Sequence, residues 1–71
     1  MSRYLIVIEK TKTGFSAFSP DLPGCAATGA TRAEVEREMQ SAIQFHIEGM
    51  RESGEDVPKP NADAVFCEVA A

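Results

Sequence analysis

The side chains in this chain that could do covalent or metal chemistry are two cysteines, Cys25 and Cys67, and one histidine, His46. Cys25 lies in the loop SPDLPGCAATGAT at residues 19–31, shortly before a predicted helix, and a thiol close to a helix start can act as a nucleophile. Such a nucleophile also needs a base that a third group orients, and the spacing of these residues provides neither. We therefore predict that the loop is a connector, with Asp21 as a turn residue and Cys25 as a small apolar strand residue. No catalytic residue is predicted.

The same three side chains could in principle bind zinc, because thiolates and imidazole are its usual protein ligands. Structural zinc sites bring their ligands in closely spaced pairs, and this chain has no such pair. His46 falls on the apolar face of the predicted helix, where a half-buried packing role is expected. The sequence also lacks a phosphate-binding loop, a paired-carboxylate motif and a Gly-x-Ser-x-Gly elbow. We predict no metal site and no cofactor.

Length and charge restrict the class of protein. The 71 residues suffice for one domain, predicted over residues 1–71, whose small core would gain from self-association. The net charge of −4 suits a basic protein partner and argues against direct DNA binding. The apolar run at residues 4–8 is too short for a signal peptide or a membrane span. We expect a cytoplasmic protein with reduced thiols, and a Cys25–Cys67 disulfide is the open alternative.

Local patterns predict the secondary structure in the order β-β-β-α-β. Strands are expected at residues 4–8, 15–19, 25–28 and 64–69, and residues 55–61 read as an extended linker. Thr31 and Glu34 form a capping-box pattern, and Gly54 is a natural helix stop, so one helix is predicted to run from Thr31 to Ser53. The predicted fold is α+β, an antiparallel sheet with one helix packed on one face.

The first predicted strand is apolar on both faces, and one helix can cover only one of them. Tyr4, Ile6 and Ile8 point one way, whereas Leu5 and Val7 point the other way. We predict that Leu5 and Val7 form an oligomer interface in a homodimer or a higher homo-oligomer. The alternative is that the loop and the linker fold over this second face.

One helical position departs from the amphipathic pattern. Phe45 lies outside the apolar stripe, and its neighbours at helical spacing are acidic or polar. We interpret this ridge as a partner-binding surface in which Phe45 is the anchor and the carboxylates select a basic partner. The alternative is a solvated ridge with Phe45 covered by the linker DVPKP. The acidic residues of the ridge are Glu34, Glu38, Glu48 and Glu52.

Three segments together resemble the HicB-like antitoxin family, the antitoxin half of HicA–HicB toxin–antitoxin pairs. They are PDLPGC at residues 20–25, TGAT at residues 28–31 and the helical AIQFHIEGM at residues 42–50. The resemblance extends over about residues 4–60, which is most of the chain. It implies a β-β-β-α-β domain similar to a partial RNase H fold without that fold's catalytic acids.

The same resemblance implies that the chain forms dimers or higher oligomers. It also implies that the chain binds a small basic HicA-like toxin that cleaves mRNA. The antitoxin would block the active site or the RNA-binding surface of that toxin. Many family members continue into a C-terminal DNA-binding module. This chain stops at Ala71, so we expect a short member without that module.

The favoured prediction is thus a non-catalytic antitoxin that neutralises a small basic toxin by protein–protein contact. An alternative is a solitary oligomeric domain with a structural or regulatory role and no toxin. A third is a remnant enzyme that uses Cys25.

Overall fold

The computed structural model describes residues 2–71, in which three strands precede one helix. The strands are β1 (Val7–Lys10), β2 (Phe15–Phe18) and β3 (Ala26–Gly29), and the helix is α1 (Arg32–Glu52). The strands form one antiparallel sheet in the order β1-β2-β3. The fold is therefore α+β, as predicted, with a sheet that carries its helix on one face.

The first strand begins later than the sequence indicated. Strand β1 starts at Val7, which pairs with Phe18, and the predicted strand residues 4–6 have no partner in the sheet. The reason lies in β2, which ends at Phe18 because the next residues turn away. Pro20 has no N–H to donate, and the Ser19 N–H bonds to the Cys25 carbonyl instead.

Local capping signals define both ends of α1. At the start, the Glu34 N–H donates to the Thr31 hydroxyl at 3.1 Å, which is one half of the predicted capping box. At the end, Gly54 takes a φ of 74°, a left-handed conformation that favours glycine. The Gly54 N–H then reaches the Arg51 carbonyl and the Glu55 N–H reaches the Met50 carbonyl, which closes the helix with a Schellman motif.

The helix packs on β3 and β2 through a small core. Gly29 allows the close approach, because a Cβ at this position would lie only 2.7 Å from the Val35 backbone nitrogen. The half-buried side chains of Tyr4, Ile6 and Ile8 pack against the edge of this core, as predicted for the helix-facing side. The buried hydrophobic residues are Ala17, Leu22, Cys25, Val35 and Met39.

The predicted fourth strand is wrong for the single chain that the structure describes. Residues 55–71 form no helix or strand, so the element order is β-β-β-α. A strand needs a hydrogen-bonded neighbour, and residues 64–69 have none in the sheet. Their side chains are exposed, with Val65 91% and Val69 76% accessible and Phe66 fully so. We call residues 64–71 the tail.

Candidate protein-binding site

One row of helical positions presents an aromatic side chain among carboxylates. We call it the acidic ridge, and its members lie three, four or seven residues apart, which places them on one face of α1. Helical rise gives a distance of about 27 Å between its first and last members. The acidic ridge consists of Glu34, Glu38, Phe45, Glu48 and Glu52.

Phe45 is a large hydrophobic residue that the helix leaves exposed. Its side chain is 79% accessible, so the predicted cover by the linker DVPKP is wrong, whereas the choice between a solvated ridge and a binding surface is untested. The linker is held instead by Tyr4, whose hydroxyl donates to the Pro58 carbonyl. An exposed aromatic ring can contribute strongly when a partner desolvates it.

The carboxylates of the acidic ridge repel one another in the free protein. Glu34 and Glu38 are four residues apart, as are Glu48 and Glu52, and like charges at this spacing destabilise a helix by about 0.2–0.5 kcal/mol per pair. The ion pair found in the described residues, Arg32 with Glu36 at 3.3 Å, lies outside the ridge. A cationic partner would relieve this repulsion.

Glu34 differs from the other acids of the ridge. Its side chain is half-buried, whereas Glu38, Glu48 and Glu52 are exposed. It lines a cavity of ≈ 390 Å³ together with Thr11, Thr13, Phe15, Thr28, Gly29 and Ala30. Glu34 therefore marks the end of the ridge at the sheet, and the three exposed acids around Phe45 form its accessible part.

The face of the sheet away from the helix is partly apolar, as the sequence predicted. Val7 lies on it in one cross-strand row with Phe18 and Ala26, and Leu5 precedes β1 in the chain. Phe18 is 42% accessible and was missed at the sequence level. The alternation of β2 could have located it, because Phe15 and Phe18 are three residues apart and must point to opposite faces. We call this surface the outer face.

The loop before β3 contributes to the core and is more than a connector. Leu22 is fully buried within it, and the Cys25 N–H donates to the Leu22 carbonyl at 3.0 Å. Ser19 is also buried, and its hydroxyl finds no hydrogen-bond partner among the described residues. No local pattern predicts this burial, since it depends on how the loop closes over the helix.

Cys25 does not have the environment of a nucleophile. Burial raises the pKa of the Cys25 thiol, because the thiolate would lose its hydration. It is therefore protonated at neutral pH, as expected for a small apolar core residue. Cys67 lies in the tail and is exposed, and both cysteines are free.

Asp21 holds the chain that follows the linker. Its carboxylate accepts hydrogen bonds from the Asn61 N–H at 3.1 Å and from the Ala62 N–H at 3.1 Å. The sequence placed Asp21 in a turn, which is correct, but its partners are 40 residues away and could not be identified from local pattern. Asp21 thus fixes the point from which the tail leaves the domain.

The remaining candidates are isolated from one another. His46 is half-buried on the helix, as expected for a packing residue. Within residues 2–71, no three side chains of the metal-binding types gather into one group. In the same residues, no helix combines the length and the apolar character that a membrane span requires.

A family model describing the HicB-like antitoxins of bacterial toxin–antitoxin systems matches residues 4–68 of this chain. The match includes the sheet, the loop before β3, the helix and most of the tail. Together with the fold, it favours a non-enzymatic role.

Individual relatives and one solved structure agree with this match. An uncharacterised 14.9 kDa protein of Haemophilus phage HP1 is 47% identical over 58 residues, which are 82% of this chain but only 44% of that relative. A UPF0150 protein of Thermoplasma acidophilum is 31% identical over 64 residues, 89% of this chain and 93% of the relative. A chain of a solved HicA3 and HicB3 toxin–antitoxin complex superposes with a TM-score of 0.73 at 37% identity, covering 84% of this chain and 70% of that one.

Proposed function

Because this chain belongs to the HicB-like antitoxin family of bacterial toxin–antitoxin systems, we propose that it binds a small basic HicA-type toxin and neutralises it by protein–protein contact. The observation that supports this proposal most directly is the likeness to a chain of a HicA3 and HicB3 complex. The proposal places the protein in the cytoplasm, where a toxin that cleaves mRNA would act.

We assign the contact with the toxin to the acidic ridge. A protein that handles RNA needs a cationic surface, because phosphate contacts dominate such binding. The exposed carboxylates of Glu38, Glu48 and Glu52 present negative charge to a surface of that kind, in the manner of an RNA backbone. Phe45 would add apolar contact area in the centre of the ridge, where it would become desolvated.

This assignment explains two features that are unfavourable in the free protein. An aromatic ring that is 79% accessible contributes little to folding, and the like-charged pairs of the ridge oppose helix formation. Binding to a cationic partner turns both into favourable terms, since the ring is buried and the carboxylates gain counter-charges. Direct DNA binding is not part of the proposal, because the net charge of the chain is −4.

The experiment is titration calorimetry of the triple variant Phe45→Ala, Glu38→Lys, Glu48→Lys against a HicA-type toxin. We expect the affinity to fall by about 10- to 100-fold, because the variant removes the anchor and reverses two of the attracting charges. Each of the three side chains is exposed, so the variant should keep the wild-type circular dichroism spectrum.

A charge-matched control separates the ridge from overall charge. The variant Glu9→Lys, Asp56→Lys makes the same two reversals at exposed positions outside the ridge, and we expect near wild-type affinity from it. Equal losses in both variants would show that only net charge matters. Unchanged capture by the triple variant would exclude the acidic ridge as the binding surface, and absence of any toxin binding by the wild type would exclude the proposed function.

A further inference from the structure

Among residues 2–71, the tail contains three of the five large hydrophobic side chains that are exposed, and its sequence is that of a strand. Val65, Phe66 and Val69 are β-branched or aromatic residues, and each is more than three-quarters accessible. Residues 65, 67 and 69 share one side of an extended chain, and Phe66 lies on the other. A segment that is apolar on both sides is expected to be covered on both sides, yet in a single copy nothing covers it.

Strand β1 lacks a neighbouring strand on one of its edges. It and the residues before it are apolar on both faces, which is typical of a central strand, but in the order β1-β2-β3 it lies at an edge of the sheet. Residues 3–6 have no ladder partner. On the helix side, Tyr4, Ile6 and Ile8 line an open groove of ≈ 480 Å³ against α1. The other edge, β3, consists of small residues that suit an edge strand.

The lengths of the two segments agree. Residues 3–8 and residues 64–69 are each six residues long, which corresponds to about 20 Å of strand. A strand that runs parallel to β1, with residue 64 beside residue 3 and Cys67 beside Ile6, would place Val65, Cys67 and Val69 on the groove side. It would place Phe66 beside Leu5 and Val7 on the outer face. The side chains of the added strand alternate between the two faces, so β1 gains apolar neighbours on both of them.

Hydrogen bonds hold the chain just before the tail, and no residue of the tail pairs with the sheet of its own copy. Asp21 binds the N–H groups of Asn61 and Ala62, and Asp63 accepts from the Ala64 N–H at 2.8 Å. The result is an elongated molecule, with a longest dimension of 47 Å and a radius of gyration of 13.7 Å, where a compact domain of this length has about 11 Å.

We propose that two copies of this chain exchange their tails, so that residues 64–69 of each copy pair with residues 3–8 of the other as the fourth strand of its sheet. The exchange is isologous, because the same two segments meet twice about a two-fold axis. It closes both β1 edges, which would otherwise remain open to uncontrolled strand addition. The hinge lies at Asp63, directly after the residues that Asp21 holds.

The first test measures mass by light scattering for the wild type and for two matched variants. We expect the wild type to have twice the chain mass of 7.7 kDa and Phe66→Asp to have the single-chain mass. Phe66 is fully exposed in one copy, so this change should leave the helix signal in circular dichroism intact. Phe45→Asp makes the same substitution at another exposed phenylalanine and should remain dimeric.

The second test distinguishes exchange from pairing within one copy. All chains carry Cys25→Ala. One kind of chain keeps Cys67, and the other carries Ile6→Cys together with Cys67→Ala, so each kind has a single cysteine. The two kinds are refolded together, and we expect oxidation to form a disulfide between Cys67 of one kind and the cysteine at position 6 of the other. A further variant carries both Cys67 and Ile6→Cys in one chain. If its disulfide forms within that chain, the tail pairs within a copy. An intrachain bridge, a wild type that stays at 7.7 kDa up to millimolar concentration, or a dimer that survives Phe66→Asp would each overturn the proposal.

Discussion

At the scale of single residues, the two cysteines show how position determines thiol chemistry. Cys25 is packed in the core beneath the loop that precedes β3, whereas Cys67 projects from the tail. Burial alone raises the pKa of the Cys25 thiol.

We predict that Cys25 makes the folding free energy depend on alkaline pH. Its thiol ionises near the ordinary pKa of 9.0 in the unfolded chain and at a higher pH in the folded one. The native state therefore binds more protons above pH 9.0, so its stability is fully present below that pH and declines as pH rises towards the folded pKa. Urea unfolding at several pH values measures this slope.

The matched variants for this measurement are Cys25→Ala and Cys67→Ala. Cys25→Ala should lose the thiol contribution to the slope, and Cys67→Ala should retain it because it keeps the buried Cys25 thiol. Labelling the Cys67→Ala variant with a thiol reagent gives an independent reading, since Cys25 should react only on unfolding. Equal slopes in both variants would contradict the assignment to Cys25.

At the scale of elements, the helix shows what local sequence can specify. Thr31 caps its start and Gly54 ends it, and both signals are contained within a few residues of the chain. The position of Phe45 outside the apolar stripe also followed from helical periodicity. The strands were less predictable, because β1 begins only where β2 ends, before the turn at Ser19 and Pro20, and this depends on a partner segment.

The tail and the buried loop were not predictable for the same physical reason. Leu22 lies in a turn sequence, and its burial requires the loop to close over residues of α1 that are distant in the chain. The fourth strand was inferred from composition, but composition specifies a strand only when a second strand is available to pair with it. The predicted binding residues, Phe45 with the acids and Leu5 with Val7, remain predictions as sites of contact.

The close contact between β3 and α1 can be tested by comparing Gly29, which lies in it, with Gly49, which does not. Gly29→Ala would place a Cβ 2.7 Å from the backbone nitrogen of Val35, so the helix must shift and stability should fall by about 1–3 kcal/mol. Gly49 lies within α1 with open space around it, and Gly49→Ala should stabilise the protein by about 1 kcal/mol through helix propensity. Chemical denaturation of both variants checks this, and equal effects in the two would contradict the close approach at Gly29.

At the scale of the whole molecule, the core is too small to be the main source of stability. Of the residues that the structure describes, five hydrophobic ones are buried in the single copy, and large apolar side chains remain exposed on the outer face and the tail. Small domains of this kind commonly gain stability from association. The outer face, with Leu5, Val7 and Phe18, is proposed to contribute to that association together with the exchanged tails.

We therefore predict a melting temperature that rises with protein concentration, because association stabilises the folded state by mass action. The variant Leu5→Thr, Val7→Thr should weaken this rise, since it makes the outer face more polar while keeping side chains that suit a strand. Thermal unfolding from micromolar to millimolar protein measures the effect. A melting temperature independent of concentration in the wild type would argue against association through this face.

The repulsion within the acidic ridge has a consequence for the ionic medium around the protein. Closely spaced carboxylates concentrate small cations near Glu48 and Glu52 in the unbound state, and these ions also shield the two like-charged pairs of the helix. A basic partner that docks there sets those ions free into the bulk. Added salt should thus favour the isolated helix and disfavour the complex, so one change of buffer shifts the two equilibria in opposite directions.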